Sequence, residues 1–302
     1  MLSSRRSVLG LGACALVSLD ACFGGGRTPV WNTSFTPSRV IDPARAEALH
    51  QEALRAWLGR IEEAQVEASI ALWQAALAAD SSRVDLWAHL SHAQYFMAFA
   101  HLEERAASDA SIARAYLDAL DAAERGLLVL MPELAARTER GMLGPVALAS
   151  LDARAVPLLY WRSSALGRWS HRDGLNTRID TRNEVRDVMR RITELDRNYA
   201  YCGADRFLGS VYAVLPPTLG GDLDRSRQHF LYAMDMHPGF LATRLRYAVD
   251  HAVRAERRDV FIEHLEFVIR ADAGALPDAG PENQIAQRRA REALERVDYY
   301  FD

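Results

Sequence analysis

From residue 42 to its end, this chain places apolar residues three and four apart in one segment after another, with almost no alternation of period two. A strand exposes alternate residues to one face, whereas a helix returns to the same face after three or four. The pattern therefore predicts an all-α fold. Asp42 followed by Pro43 reads as an N-cap with proline at the first helical position, opening a helix to about residue 59. Further helices are expected near 62–79, 84–105, 109–131, 155–170, 181–195, 203–214, 223–236, 239–255, 258–271 and 282–299. Gly, Pro and Asp signals punctuate them at Asp80, Pro216 with Pro217, Gly220 to Asp222, Pro238 and residues 277–281.

The helix around residue 70 carries two apolar stripes. Ala68, Leu72 and Ala75 mark one, while Ile70, Trp73 and Leu77 mark the other. A helix apolar on two sides lies between neighbours, as each unit of a stacked array of helical hairpins must. Leu208, Gly209 and Tyr212 match the first helix of a tetratricopeptide repeat, and Ser226, Phe230, Ala233 and Pro238 match its second. The connection between them makes this unit about five residues longer than the usual 34. A less perfect copy contains Ala68, Leu72, Ala75 and Asp80, followed by Trp87, Leu90, Ser91 and Tyr95. The expected architecture is a helical-hairpin solenoid of tetratricopeptide-like repeats with irregular connections. Aromatic residues at helical spacing read first as core.

The N-terminus reads as an address. Arg5 and Arg6 precede an apolar stretch at residues 8–19, too short to span a bilayer and suited to the core of an export signal. The stretch ends at Ala21 and Cys22, which resembles a bacterial lipobox, so Cys22 is the expected lipidation site and residues 1–21 the cleaved signal. Cys14 is the alternative, although it leaves a shorter apolar core. The paired arginines leave Sec and twin-arginine export both open. Residues 22–41, rich in Gly, Thr, Pro and Ser, are expected to form a flexible tether, and residues 42–302 the folded body. Phe23 rather than aspartate after Cys22 favours the inner leaflet of the outer membrane over the inner membrane. Cys202 is then the one thiol of the mature chain and reads as a small buried hydrophobe.

Composition removes several chemistries. All 36 basic residues are arginine, so no lysine is available for a Schiff base, a pyridoxal phosphate anchor or a P-loop. The net charge of −4, with both signs interspersed, offers no basic stripe for nucleic acid. No HExxH, GxSxG, paired CxxC or P-loop occurs. Neither a catalytic residue nor a cofactor is implied. His89, His92 and His101 share a helix, but no acidic or thiolate partner completes a metal site by spacing, and they read as core or solvated histidines. Arg288, Arg289 and Arg291 read as a solvated face of the last helix, and on the same helix Ala286, Ala290, Ala293 and Val297 read as an apolar stripe that caps the array.

Several stretches together resemble the T-component family of TRAP transporters, called TatT. They include Gln94, Tyr95 and Phe96, Ala98 to Ala100, Ala123 to Leu127, and Val156 to Trp161 with Gly167. Tyr201, Gly203, Phe207 to Tyr212, Gly220, Gly221, Phe230, Asn283 to Arg291, Leu294 and Phe301 continue it over about residues 85–302. The resemblance implies a periplasmic lipoprotein of tetratricopeptide-like hairpins that associates with the solute-binding P-component and assembles as a homotrimer. It also implies a role in uptake of small hydrophobic molecules, without chemistry. Tyr95, Tyr160, Trp161 and Tyr212 are the expected ligand or partner surface. The chain departs from the family pattern at residues 172–183 and at Arg162, Ser163 and Ser164, which counts against an inherited pocket near Trp161. The alternative reading of the same residues is a general tetratricopeptide adaptor in envelope or outer-membrane assembly.

Overall fold

Several expected helix starts are set by a local device. Asp42 accepts the Arg45 N–H at 3.1 Å and Pro43 follows it, which fixes the entry of α1 (Pro43–Leu58). Asp222 accepts the Arg225 N–H and starts α9 (Leu223–Met236) in the same way, so its position is explained by capping. In this computed structural model residues 27–33, 35–37 and 41–301 are described. Between α1 and α9 lie α2 (Glu63–Ala79), α3 (Val84–Phe96), α4 (Asp109–Leu130), α5 (Pro145–Ala149), α6 (Val156–Asp173), α7 (Leu175–Leu195) and α8 (Tyr199–Val214). Beyond α9 follow α10 (Leu241–Arg246), α11 (Arg258–Arg270), α12 (Gly280–Glu295) and α13 (Val297–Phe301). The described residues contain no strand, only an isolated bridge between Glu139 and Met142.

The helices pack in sequential pairs. α1 lies on α2, α3 on α4, α6 on both α4 and α7, α8 on α9, and α11 on α12. Short connections force antiparallel neighbours, which is why the chain builds hairpins. Gly209 shows how tightly they close: a methyl group there would stand 2.7 Å from the Phe230 ring, so the α8 and α9 axes approach at a contact only glycine permits. The tetratricopeptide letters at Gly209 and Phe230 therefore report a real seam. On α2, Val66, Ser69, Trp73, Ala76 and Leu77 are buried while Ala68, Leu72 and Ala75 are half-buried, as expected of a helix between two neighbours.

Two inner helices extend as π turns. α3 continues through Met97–Leu102 and α10 through Tyr247–Ala252. Both extensions stop at a left-handed residue, Ala106 with φ 51° and Glu256 with φ 54°. The Ala107 and Arg257 amides then reach back to the Leu102 and Ala252 carbonyls, each at 2.9 Å, and satisfy them. A third left-handed stretch, Ala200, Tyr201 and Cys202, with φ between 51° and 57°, precedes the right-handed part of α8. The right-handed part starts at Gly203, as the sequence predicts.

Two expectations are corrected. Helix α7 begins at Leu175, not near residue 181; its first half is largely exposed, so it carries little apolar period, and Glu184, Val185, Val188, Met189 and Ile192 bury its second half. The tether expected over residues 22–41 is in part docked. Val30 and Trp31 are buried, Trp31 Nε1 donates to the Gly141 carbonyl at 3.1 Å, and Phe35 meets Trp87 edge-on at 5.9 Å. The body thus reaches back to at least Arg27. The cause is a buried carboxylate on α4: Glu124 accepts both Nη atoms of Arg27 at 2.7 and 2.8 Å and the Val30 N–H at 2.8 Å. Its remaining partner is Arg162 Nε at 2.9 Å, whose Nη1 pairs with Glu184 at 2.8 Å and whose plane covers Trp31 at 4.7 Å. An alternating row Arg27, Glu124, Arg162, Glu184 ties the N-terminal segment, α4, α6 and α7 together. Cys14 and Cys22 lie outside the described residues.

Candidate functional site

A cavity of about 780 Å³ opens along the inner side of the helical array. Its walls come from α3 and its π turn, α6, α8, α10 with its π turn, α12 and α13, while α2, α4, α7, α9 and α11 contribute no lining residue. This division of labour is what stacked hairpins produce: one helix of each pair faces inward and the other covers it. A volume of this size lies in the range of small-molecule sites.

The α3 and α6 walls form a run of rings. His92 lies flat on Trp161, centroids 3.7 Å apart and planes 10° apart. Tyr95 leans on Trp161 at 5.4 Å and stacks on Phe99 at 5.9 Å, and Tyr160 meets Trp161 edge-on at 4.8 Å. Trp161 is held in place by its Nε1, which donates to the Tyr199 hydroxyl at 3.0 Å. Burial, then the nearby Arg60, keeps His92 well below the usual histidine range, so it stays a neutral ring in the stack. Two guanidiniums lie over the Phe99 ring, Arg289 at 3.9 Å and Arg168 at 4.9 Å.

Of the four expected surface residues, the structure brings three together. Tyr95, Tyr160 and Trp161 all line the cavity. Tyr212 does not: it is buried in the α8–α9 seam, stacked on His229 at 5.6 Å with Arg225 above it. Its tetratricopeptide position made it a packing residue. The departure at Arg162, Ser163 and Ser164 does not close the cavity, because successive helical residues point 100° apart. Trp161, Ser164 and Arg168 face inward, while Arg162 turns into the buried ion row.

The remaining chemical candidates fall into packing roles. His89 stacks on Trp73 at 5.1 Å, and His101 Nε2 lies 3.0 Å from the Arg60 carbonyl. Among the described residues no group of three or more His, Cys, Asp or Glu side chains is arranged to hold a metal ion. Cys202 is buried, and burial pushes its thiol up to about 11, which keeps it protonated and unreactive at neutral pH. Of the three arginines expected on a solvated face of the last helix, Arg288 and Arg291 are exposed and Arg289 is half-buried. Arg288 and Arg289 both donate through Nε to Glu104, at 2.7 and 2.8 Å, and Arg289 Nη2 reaches the Phe99 carbonyl at 2.7 Å.

The lining also holds six arginines, Arg168, Arg172, Arg206, Arg246, Arg289 and Arg296, none of which the sequence marks as facing a cavity. In a chain with 36 arginines and no lysine, a single arginine carries little signal. The usable one was local spacing. Trp161, Ser164 and Arg168 follow one another at three and four on α6, as Gly203, Arg206 and Ser210 do on α8.

No helix among the described residues is long and apolar enough to cross a membrane. Comparison with curated proteins returns no match. The family described as TRAP transporter T-component matches residues 60–301, which includes every helix lining the cavity and reaches further toward the N-terminus than the stretches read from the sequence. The paired helices, the inward cavity and this match over most of the chain agree, and the protein belongs to the TRAP transporter T-component family, a family of transporter components rather than of enzymes.

Proposed function

We propose that this protein is a lipid-anchored helical scaffold on the periplasmic side of the envelope, an accessory of a TRAP-type uptake system. It binds the solute-binding P-component and holds a small, largely apolar ligand in the cavity between its inner helices. The observation that carries this reading is the cavity itself, about 780 Å³ in volume and walled by Tyr95, Phe99, Tyr160 and Trp161. Rings that are fixed by stacking and by the Trp161 to Tyr199 hydrogen bond form a preorganised apolar surface, which binds without the entropy of ordering flexible side chains. Acylation at Cys22, with Cys14 the alternative, supplies the membrane attachment. The expected compartment is the periplasmic face of the outer membrane, and the expected assembly is the homotrimer.

Affinity capture of the mature protein from its native envelope, with mass identification of the bound chains, tests the partner. Recovery of a TRAP solute-binding protein is expected. Recovery of an outer-membrane assembly complex without that receptor would replace this reading by a general adaptor. Cys22→Ala is expected to abolish acylation; acylation that persists in it and disappears in Cys14→Ala would move the anchor.

A further inference from the structure

The lining of the cavity is not neutral. Six arginines stand against three glutamates, Glu103, Glu282 and Glu292. Most of the cations are already matched: Arg168 and Arg172 by Glu103, at 3.7 and 3.3 Å, Arg246 by Asp250 at 2.7 Å, and Arg289 by Glu104 at 2.8 Å. Arg296 has no carboxylate among the described residues but is solvent-exposed, with only the Tyr299 ring beneath it at 4.9 Å. Arg206 is different: it is half-buried, it lines the cavity, and no described carboxylate pairs with it.

Arg206 is nevertheless held firmly. Its Nη1 donates to the Tyr201 carbonyl at 3.0 Å, and its Nη2 donates to the Ala200 carbonyl at 3.2 Å and the Tyr160 hydroxyl at 3.3 Å. The Phe240 ring covers one face of the guanidinium at 4.6 Å. Both carbonyls belong to the left-handed turn Ala200, Tyr201 and Cys202, a conformation that costs non-glycine residues free energy and persists where surrounding structure over-determines it. Gly203 completes the arrangement, since a methyl group there would collide with the Tyr160 ring and hydroxyl. A guanidinium offers five N–H groups, and three are used. Two remain, one on Nε and one on Nη1; they do not share an edge, so a carboxylate is met there by a single charge-assisted hydrogen bond.

A positioned, partly desolvated cation beside an aromatic wall, lacking its own counterion, is built to receive one from outside. We propose that the cavity selects an organic carboxylate with an apolar body, its carboxylate on Arg206 and its body against Tyr160, Trp161 and Phe207. This deepens the ligand part of the proposed function and rests on it. Arg206 discriminates by charge: a neutral ligand of the same shape leaves the guanidinium without a counterion in a poorly solvated site.

The test uses matched probes and the whole mature protein. 2-Naphthoate and 2-naphthylmethanol form an aromatic pair, and decanoate and decanol an alkyl pair, each differing in charge but little in shape. Isothermal titration is expected to give at least tenfold tighter binding of the anion in one pair or both, equivalent to about 1.4 kcal/mol. The pair that shows it distinguishes an aromatic acid from a fatty acid. Arg206→Gln is expected to bring the anion-to-alcohol affinity ratio to about one, and Arg206→Lys to retain part of the preference. If Arg206→Gln does not fold, the comparison of anion with alcohol on the unaltered protein still decides. Equal binding of anion and alcohol in both pairs overturns the carboxylate assignment and leaves an apolar cavity ligand standing. Absence of binding by all four probes overturns both.

Discussion

Glu124→Gln is the substitution that weighs the buried ion row. The wild-type carboxylate is fully buried and accepts four donors: Oε1 takes Arg27 Nη1 and Arg162 Nε, and Oε2 takes Arg27 Nη2 and the Val30 N–H. An amide keeps one acceptor oxygen and turns the other position into a donor, so two of the four bonds are lost and an NH2 group faces two donors. Hydrogen bonds to charged groups contribute roughly 1.5–3 kcal/mol each, and breaking a buried pair costs about 3–5 kcal/mol because the cations stay behind without balance. A loss of about 3–5 kcal/mol is therefore expected, a large share of the roughly 5–15 kcal/mol that holds a folded domain. Urea unfolding reads it as a lower midpoint at nearly constant slope. The same variant is expected to release the N-terminal segment, so trypsin cuts after Arg27 sooner than in the wild type. Burial alone would raise the Glu124 carboxyl, but Arg162 and Arg27 outweigh it and hold it below the ordinary carboxylate range. A depressed carboxyl contributes its stability above about pH 4.5 and loses it as pH falls through the folded value, so wild type and variant converge in acid. A loss under 1 kcal/mol at pH 7, with unchanged cleavage at Arg27, would refute the row as the clamp of this segment.

Three more outcomes follow from single contacts. Gly209→Ala forces a methyl group to within 2.7 Å of Phe230 and is expected to destabilise by about 1–3 kcal/mol, read by thermal or urea unfolding; a neutral result would mean that the α8–α9 seam is wider than described. Ala106→Gly relieves a left-handed alanine at φ 51° and is expected to stabilise by about 1 kcal/mol in the same assays, whereas a loss would contradict the cap. Acidification is expected to lower the melting temperature already between pH 6.5 and 4, above the window of Glu124. Burial, with help from His50, brings His89 down to about 4, and burial holds His92 well below 6.5, so the unfolded chain takes up protons that the native one refuses. His89→Gln with His92→Gln should reduce that slope, leaving the part due to His171, His237, His251 and His264, which burial also lowers, and an unaltered slope would show that the two rings take no part in it.

The helices were legible because their signals are local. Asp42 with Pro43, Asp222, and the run from Leu208 to Tyr212 announce caps and seams through neighbours a few residues away. The ends expected at 105 and 255 fall just before Ala106 and Glu256, whose left-handed conformation no glycine announces. The docked N-terminus was hidden by composition. Among Gly, Thr, Pro and Ser, the informative letters were Arg27 and Val30, whose partner Glu124 lies nearly a hundred residues away, and Trp31, which reaches Gly141. The cavity depends on separations longer still, since Arg289 meets Phe99 across 190 positions. Helical spacing could nominate Tyr95, Tyr160 and Trp161, yet it could not separate them from Tyr212, which obeys the same spacing on a covered side of α8.

The claim on which the rest turns is that the inward helices α3, α6, α8, α10 and α12 enclose a binding cavity. A crystallographic map of the mature protein purified from its native envelope tests it most directly. Density for a small molecule is expected against Trp161 and within reach of Arg206. An empty or collapsed inner face, with ligand or partner density confined to the outer helices α2, α4, α7, α9 and α11, would contradict it.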